Sequence, residues 1–156
     1  MSGIAWRALS FTALSPGELY DVLQLRTEVF VIEQGCVFQD MDGSDAEALH
    51  LLGNTDSLLV AYARCFAAGV KFSEASIGRV ITRQSQRGKG TGHVLMRQAI
   101  TCVFAQWGPQ PIRIGAQARL EKFYLQHGFR VAGQPYIEDG IPHIEMLRPL
   151  LFQEQP

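Results

Sequence analysis

The stretch that most narrows the choice of fold is "ASIGRVITRQSQRGKGTGHVLMRQAI", residues 75–100. Its first eight residues form a short β-branched run bounded by turn residues, the pattern of a central strand. Its end begins a helix that the spacing carries to about Trp107, with Leu95, Ala99, Val103 and Trp107 on one face and Gly108-Pro109 as the stop. Between them Gly88, Gly90 and Gly92 alternate with Lys89 and Thr91. A strand that hands over to a helix through such a turn belongs to an α/β fold.

The rest of the chain fits this reading. A first strand suits Ile4–Phe11. Ser15, Pro16 and Glu18 spell an N-cap, a first-position proline and a capping box. Leu19, Val22, Leu23, Arg26, Val29 and Phe30 then recur at helical spacing, while residues 33–46 look irregular, acidic and rich in turns. "EALHLLGN" and "SLLVAYARCF" read as strands joined by a hairpin loop at Asn54-Thr55-Asp56. "PIRIGAQ" alternates as a strand, "ARLEKFYLQHGF" as a short helix ended by Gly128, and "RVAGQPYIE" and "IPHIEMLRP" as a strand pair around Asp139-Gly140. The expected order is β–α–β–β–β–α–β–α–β–β, one mixed sheet in a single α/β domain spanning 1–156.

Charge is distributed unevenly. Net charge is −1, which points to neither nucleic acid nor an anionic membrane. From Thr27 to Ala63 there is no Lys or Arg, but there are Glu28, Glu33, Asp40, Asp42, Asp45, Glu47 and Asp56. From Lys71 to Arg130 the balance reverses. This suggests a site with an anionic ligand on one side and a cationic one on the other. Cys36, Cys65 and Cys102 are scattered without a CxxC pair, which argues against a disulfide framework and a structural metal site. With no apolar run of membrane length and no leader pattern, a cytoplasmic protein is expected.

Glycines let successive backbone N–H groups converge on one point, and a helix starting there adds unpaired donors and the positive end of its dipole. Such a construction binds phosphate. The nucleotide P-loop is excluded because no Lys-Ser or Lys-Thr follows the last glycine. The dinucleotide fingerprint fails because His93 occupies the third-glycine position. What remains is Arg87-x-x-Gly90-x-Gly92.

"RGKGTG", between strand and helix, resembles the pyrophosphate motif of the GCN5-related N-acetyltransferases (GNAT). "LQLRTEVFVIEQ", "MDGSD", "IGRVI", "GAQARLEKFYLQHGF" and "EDGIPHIEM" are similar, in the same order, to the ElaA-like branch of that superfamily. The resemblance implies a mixed sheet flanked by helices whose central parallel strands, residues 76–82 and 112–117, splay apart. It implies acetyl-CoA as cosubstrate, no metal, and a small-molecule or peptide amine as acceptor. Neither nucleic acid nor membrane is implied as a partner. A homodimer is implied by analogy alone.

The resemblance also distributes roles. Pantetheine would pair with Val80, Ile81 and Thr82, and the diphosphate would sit on the N–H groups of Arg87, Gly88, Lys89, Gly90, Thr91 and Gly92. Gln117 occupies a position where relatives carry a pantetheine- or adenine-side Asn. Tyr124 matches the family's general acid, although an aromatic on such a helix ordinarily packs in the core. The general base stays open among Glu33, His50, His143 and a water chain. A histidine on a strand is ordinarily a satisfied structural residue, and Glu33 could be plain surface charge. His127 reads as a helix-terminal charge and His93 as an exposed helix residue. The acidic segment would attract a cationic acceptor. The rival readings are a non-catalytic acyl-CoA-binding or sensor protein and, less well supported, a nucleotide-binding protein.

Overall fold

The computed structural model describes residues 3–150. Strand β1 (Ala5–Ser10) leads through a 3₁₀ turn to helix α1 (Pro16–Arg26). The capping box is formed as the sequence indicates: Ser15 Oγ accepts from the Glu18 N–H, and Glu18 accepts from the Ser15 N–H at 2.9 Å. The helix does not simply run on to Phe30. From Thr27 to Glu33 it widens into a π-helix, and Gly35 at φ +61 follows its end. Thr27 Oγ1 donates back to the Leu23 carbonyl at 2.9 Å where the winding changes.

Strands β2 (Leu49–Thr55) and β3 (Leu58–Phe66) form the first hairpin. Its turn is two residues, Asp56-Ser57, with Asp56 at φ +55 and Thr55 opposite Leu58, shorter than the expected loop. Strand β4 (Ala75–Thr82) is followed by the glycine turn and helix α2 (Thr91–Trp107), which ends at Gly108. Strand β5 (Ile112–Gln117), a 3₁₀ turn and the short helix α3 (Glu121–Leu125) come next.

"RVAGQPYIE" is split into β6 (Arg130–Val131) and β7 (Tyr136–Glu138), both antiparallel to β8 (Ile141–Arg148). Pro135 lacks an N–H for the ladder and Gly133 weakens the run, which accounts for the break. Sheet order is β1-β2-β3-β4-β5-β8-β6, with β7 also on β8.

Strand alternation divides the core between two faces. Leu51, Ala63, Cys65, Ile77, Ile114 and Met146 pack with Leu95, Met96, Ala99 and Val103 of α2. Leu52, Tyr62 and Ile81 point the other way, against Val22, Leu25 and Val29. The α1 layer lies over β2 and β3. It reaches the end of β4 at Ile81, and beyond it the cleft opens, lined by Gly78, Gly115 and His143 of β4, β5 and β8. Among the described residues no helix is long and apolar enough to cross a membrane.

Candidate active site

The cleft begins where two strands part. β4 and β5 are parallel neighbours only at Ala75↔Ile112 and Ser76↔Arg113. Past that point the β4 edge facing β5 has no strand partner. A cavity of about 1000 Å³ occupies the gap. Its lining includes Ile77, Ile114, Leu120 and Tyr124 from the α2 side and Gly78, Gly115, Gln117 and His143 from the other, so it passes through the sheet.

A bulge shapes its rim. Tyr62 pairs with Ile81 and Arg64 with Gly78, which leaves Ala63 opposite both Arg79 and Val80. Arg79 adopts φ +49, an uncommon conformation for a side-chain-bearing residue. Its Nε donates to Asp40 Oδ1 at 2.7 Å and its second amino group donates to the Asp40 carbonyl at 3.0 Å. The turn of β4 into the cleft is therefore tied to the loop that follows the π segment.

At the glycine turn, Gly88 and Gly90 sit at φ +78 and +80, and a Cβ on either would meet nothing within 4 Å. The N–H groups of residues 88–92 donate to no acceptor among the described residues, whereas His93 N–H already bonds the Gly90 carbonyl. Lys89 is exposed and without an ion pair there. Five free donors at the mouth of a seventeen-residue helix fit a diphosphate. Arg87 is placed differently from the rest of this set. Its N–H bonds the Gln84 carbonyl at 3.1 Å, and its guanidinium donates to the Thr82 carbonyl at 2.9 Å and forms an ion pair with Glu33 Oε1 at 2.7 Å. Val80, Ile81 and Thr82 line the cleft.

Tyr124 is buried, its ring edge-on to Phe123 and Phe129, and its hydroxyl has no hydrogen-bond partner among the described residues. Burial pushes its pKa up to about 12, with the Arg119 charge opposing. Gln117 donates to Gln34 at 3.3 Å and accepts from Arg119. His143, also buried, donates from Nδ1 to the Ile141 carbonyl at 2.7 Å, so the neutral ring carries its lone pair on Nε2, 3.8 Å from Glu138. Tyr136 stacks on that imidazole.

His50 is a structural residue. Its Nε2 donates to the Asp45 carbonyl and its Nδ1 accepts from Tyr62, both nitrogens spent, and burial lowers its pKa. His93 and His127 bond each other at 2.9 Å, away from the cleft.

The acidic segment is not free to attract a ligand along its length. Asp40 binds Arg26 and Arg79, Asp45 binds Arg26 and Arg64, and Asp42 binds Arg64 and Lys71. Glu28 and Glu33 take Arg83 and Arg87. Segregation along the chain thus becomes pairing in space. Arg26 is fully buried. Burial opposes its charge, but Asp45 and Asp40 outweigh that and hold its pKa above the ordinary value. Hydrogen bonding to Arg64 holds the Asp42 carboxyl far below its usual range.

Sequence reasoning did not single out the cleft floor, Gly78 and Gly115, nor Tyr136 and Glu138. The signal was present: a glycine inside each of two strand patterns, "ASIGRVIT" and "PIRIGAQ", marks a close approach or an open space. At Gly115 a Cβ would lie 2.5 Å from Tyr136 Oη, while at Gly78 it would project into the cleft with nothing within 4 Å.

Comparison with known proteins agrees with this architecture. Protein ElaA of Escherichia coli (strain K12) is 41% identical over 150 residues, 95% of this chain and 98% of that one. Its crystal structure superposes with a TM-score of 0.87, covering 94% of this chain and 99% of that one. An acyl-CoA N-acyltransferase from Pseudomonas aeruginosa is 39% identical, with TM-score 0.89 and the same coverage. An aminoglycoside 6'-N-acetyltransferase complexed with coenzyme A shares the fold at TM-score 0.70 and 13% identity, covering 96% of this chain and 99% of that one. Residues 25–149 match the family model described as an acetyltransferase (GNAT) domain. With parted parallel strands, a glycine turn at a helix start and near-full-length relatives at this identity, the chain belongs to the GNAT acetyltransferase family, and ElaA proteins are among its relatives.

Proposed function

We propose that the protein transfers an acetyl group from acetyl-CoA to a primary amine by direct attack, as one N-acetyltransferase domain across residues 1–156. The observation that carries this reading is that the strand whose edge parts from β5 leads, through Arg87 at the cleft wall, into a turn whose N–H groups at residues 88–92 are free. Acetyl-CoA supplies an activated acetyl thioester. Gly88, Lys89, Gly90, Thr91 and Gly92 would hold its diphosphate, and the unpartnered edge of Val80, Ile81 and Thr82 its pantetheine. A main-chain N–H on that edge would face the charge growing on the thioester oxygen. Arg87 and Gln117 would brace this end of the cleft.

Tyr124 holds its proton at neutral pH, because burial raises its pKa to about 12, and would give it to the departing thiolate. His143 would accept the ammonium proton on Nε2, the nitrogen its Ile141 bond leaves free. Glu33 is the second candidate base. Its pairing with Arg87 favours a positioning part instead. The proposal extends to a cytoplasmic protein, supported by three unpaired cysteines, and by family analogy to a homodimer.

Incubating the chain with acetyl-CoA and a panel of amines, and following free thiol, tests the reaction. Thiol release that depends on the amine supports it. Stabilisation by acetyl-CoA with no turnover on any amine would favour a non-catalytic acyl-CoA binder instead.

A further inference from the structure

We infer that the acceptor is a monoamine with an apolar or aromatic body, as distinct from a polyamine or another polycation. This inference rests on the reaction proposed above. The acceptor arm of the cleft is the part on the sheet face opposite α2. Its floor is Gly78, Gly115 and His143, and its walls come from the π segment, the loop after it and β7.

Four carboxylates line the whole cleft: Glu33, Asp42, Glu138 and Asp139. Two are consumed. Arg87 takes Glu33 at 2.7 Å, and Arg64 and Lys71 take Asp42 at 2.7 and 3.1 Å. The two that face no Lys or Arg among the described residues, Glu138 and Asp139, are neighbours at the β7–β8 turn, beside His143. One ammonium therefore has one anionic place to sit.

The opposite end repels a second charge. There Arg26, Arg64, Lys71 and Arg79 face Asp40, Asp42 and Asp45, four cations against three carboxylates. Arg64 Nε is buried with no hydrogen-bond partner among the described residues, although the other two nitrogens are held by Asp42 and Asp45. A polyamine lying along the arm would bring further ammonium groups to a positive wall. Between these charged groups the lining mixes the polar side chains of Gln34, Gln39 and Ser76 with aromatic faces. Phe38, Phe72 and Tyr136 line the arm, and the rings of Phe30 and Phe66 already carry Arg79 and the Arg64–Lys71 pair on a face. Open space above Gly78 leaves room for a bulky group on the floor.

The test uses the full chain saturated with CoA, titrated calorimetrically with phenethylamine and with spermidine, and thiol release from acetyl-CoA with each. Phenethylamine is expected to bind and turn over, and spermidine to bind at least about tenfold more weakly. Glu138→Gln should weaken phenethylamine binding by about tenfold, since a charged hydrogen-bond partner is lost. Gly78→Leu, which fills the floor, should weaken it as well. Acetyl-CoA affinity should be retained in both variants, which also reports that they fold. Spermidine equal to or better than phenethylamine, no binding of phenethylamine, or an unchanged affinity in Glu138→Gln would each overturn the inference. A wild-type chain that binds acetyl-CoA yet prefers spermidine defeats the acceptor class alone. Failure to bind acetyl-CoA defeats the proposed reaction and this inference together.

Discussion

Arg87 and Glu33 form an ion pair at 2.7 Å, and in doing so join the glycine turn to the end of the π segment. One residue comes from the basic stretch and the other from the acidic stretch. Arg87 also holds the Thr82 carbonyl, so the end of β4, the turn and the π segment meet at one guanidinium.

That pairing separates the two candidate bases. His143→Gln should lower turnover by about a hundredfold or more with little change in acetyl-CoA affinity. Glu33→Gln should alter KM for acetyl-CoA more than kcat. A steep loss of kcat in Glu33→Gln with His143→Gln nearly normal would reverse the assignment.

Tyr124→Phe deletes one oxygen from a ring that keeps its Phe123 and Phe129 contacts. Turnover should fall by about 10²–10⁴-fold, the usual share of a positioned acid, while acetyl-CoA affinity changes little. Thiol release and calorimetry on the same preparation decide it. Unchanged turnover removes Tyr124 from the chemistry.

Gly90 sits at φ +80 with free space around it. Gly90→Val should cost about 1–2 kcal/mol of stability through backbone strain alone. It should weaken acetyl-CoA binding by more than that strain implies, because the side chain enters the space above the free N–H donors. Thermal unfolding with and without acetyl-CoA separates the two effects.

Asp40 neutralises Arg26, which is wholly buried, and also holds Arg79. Asp40→Ala leaves a buried guanidinium short of a partner and should destabilise the fold by about 3–5 kcal/mol in denaturant unfolding. A change of a few tenths would mean that water or Asp45 takes over.

His127 supplies a pH dependence of stability. Burial, the neighbouring His93 and the charges of Arg97 and Arg148 lower its pKa from 6.5 to about 4. Between those values the unfolded chain binds the proton and the folded chain does not, so stability is lost as pH falls from 6.5 toward 4. Tm measured across that window should rise with pH, and His127→Asn should flatten the slope.

What was legible in the sequence was local. The Ser15–Glu18 box, the end of α2 at Gly108 and the strand alternation are dictated by residues within a few positions of one another, and all appear in the structure. The π winding at Thr27–Glu33 was not legible, because α and π turns draw on the same side chains. The bulge at Arg79 depends on how β3 and β4 align, which neither strand encodes alone. The pairing of Asp40, Asp42 and Asp45 with distant arginines escaped for the same reason, and so the acidic stretch read as a lure for ligand. The split between β6 and β7 could have been read from Gly133 and Pro135.

Because the opening crosses the sheet, its lining belongs to both faces of that sheet. Room on both faces lets one reactant be in place while the other arrives. Kinetics of the sequential type, with both reactants held at once, are what such a passage permits, and intersecting double-reciprocal plots would be their signature.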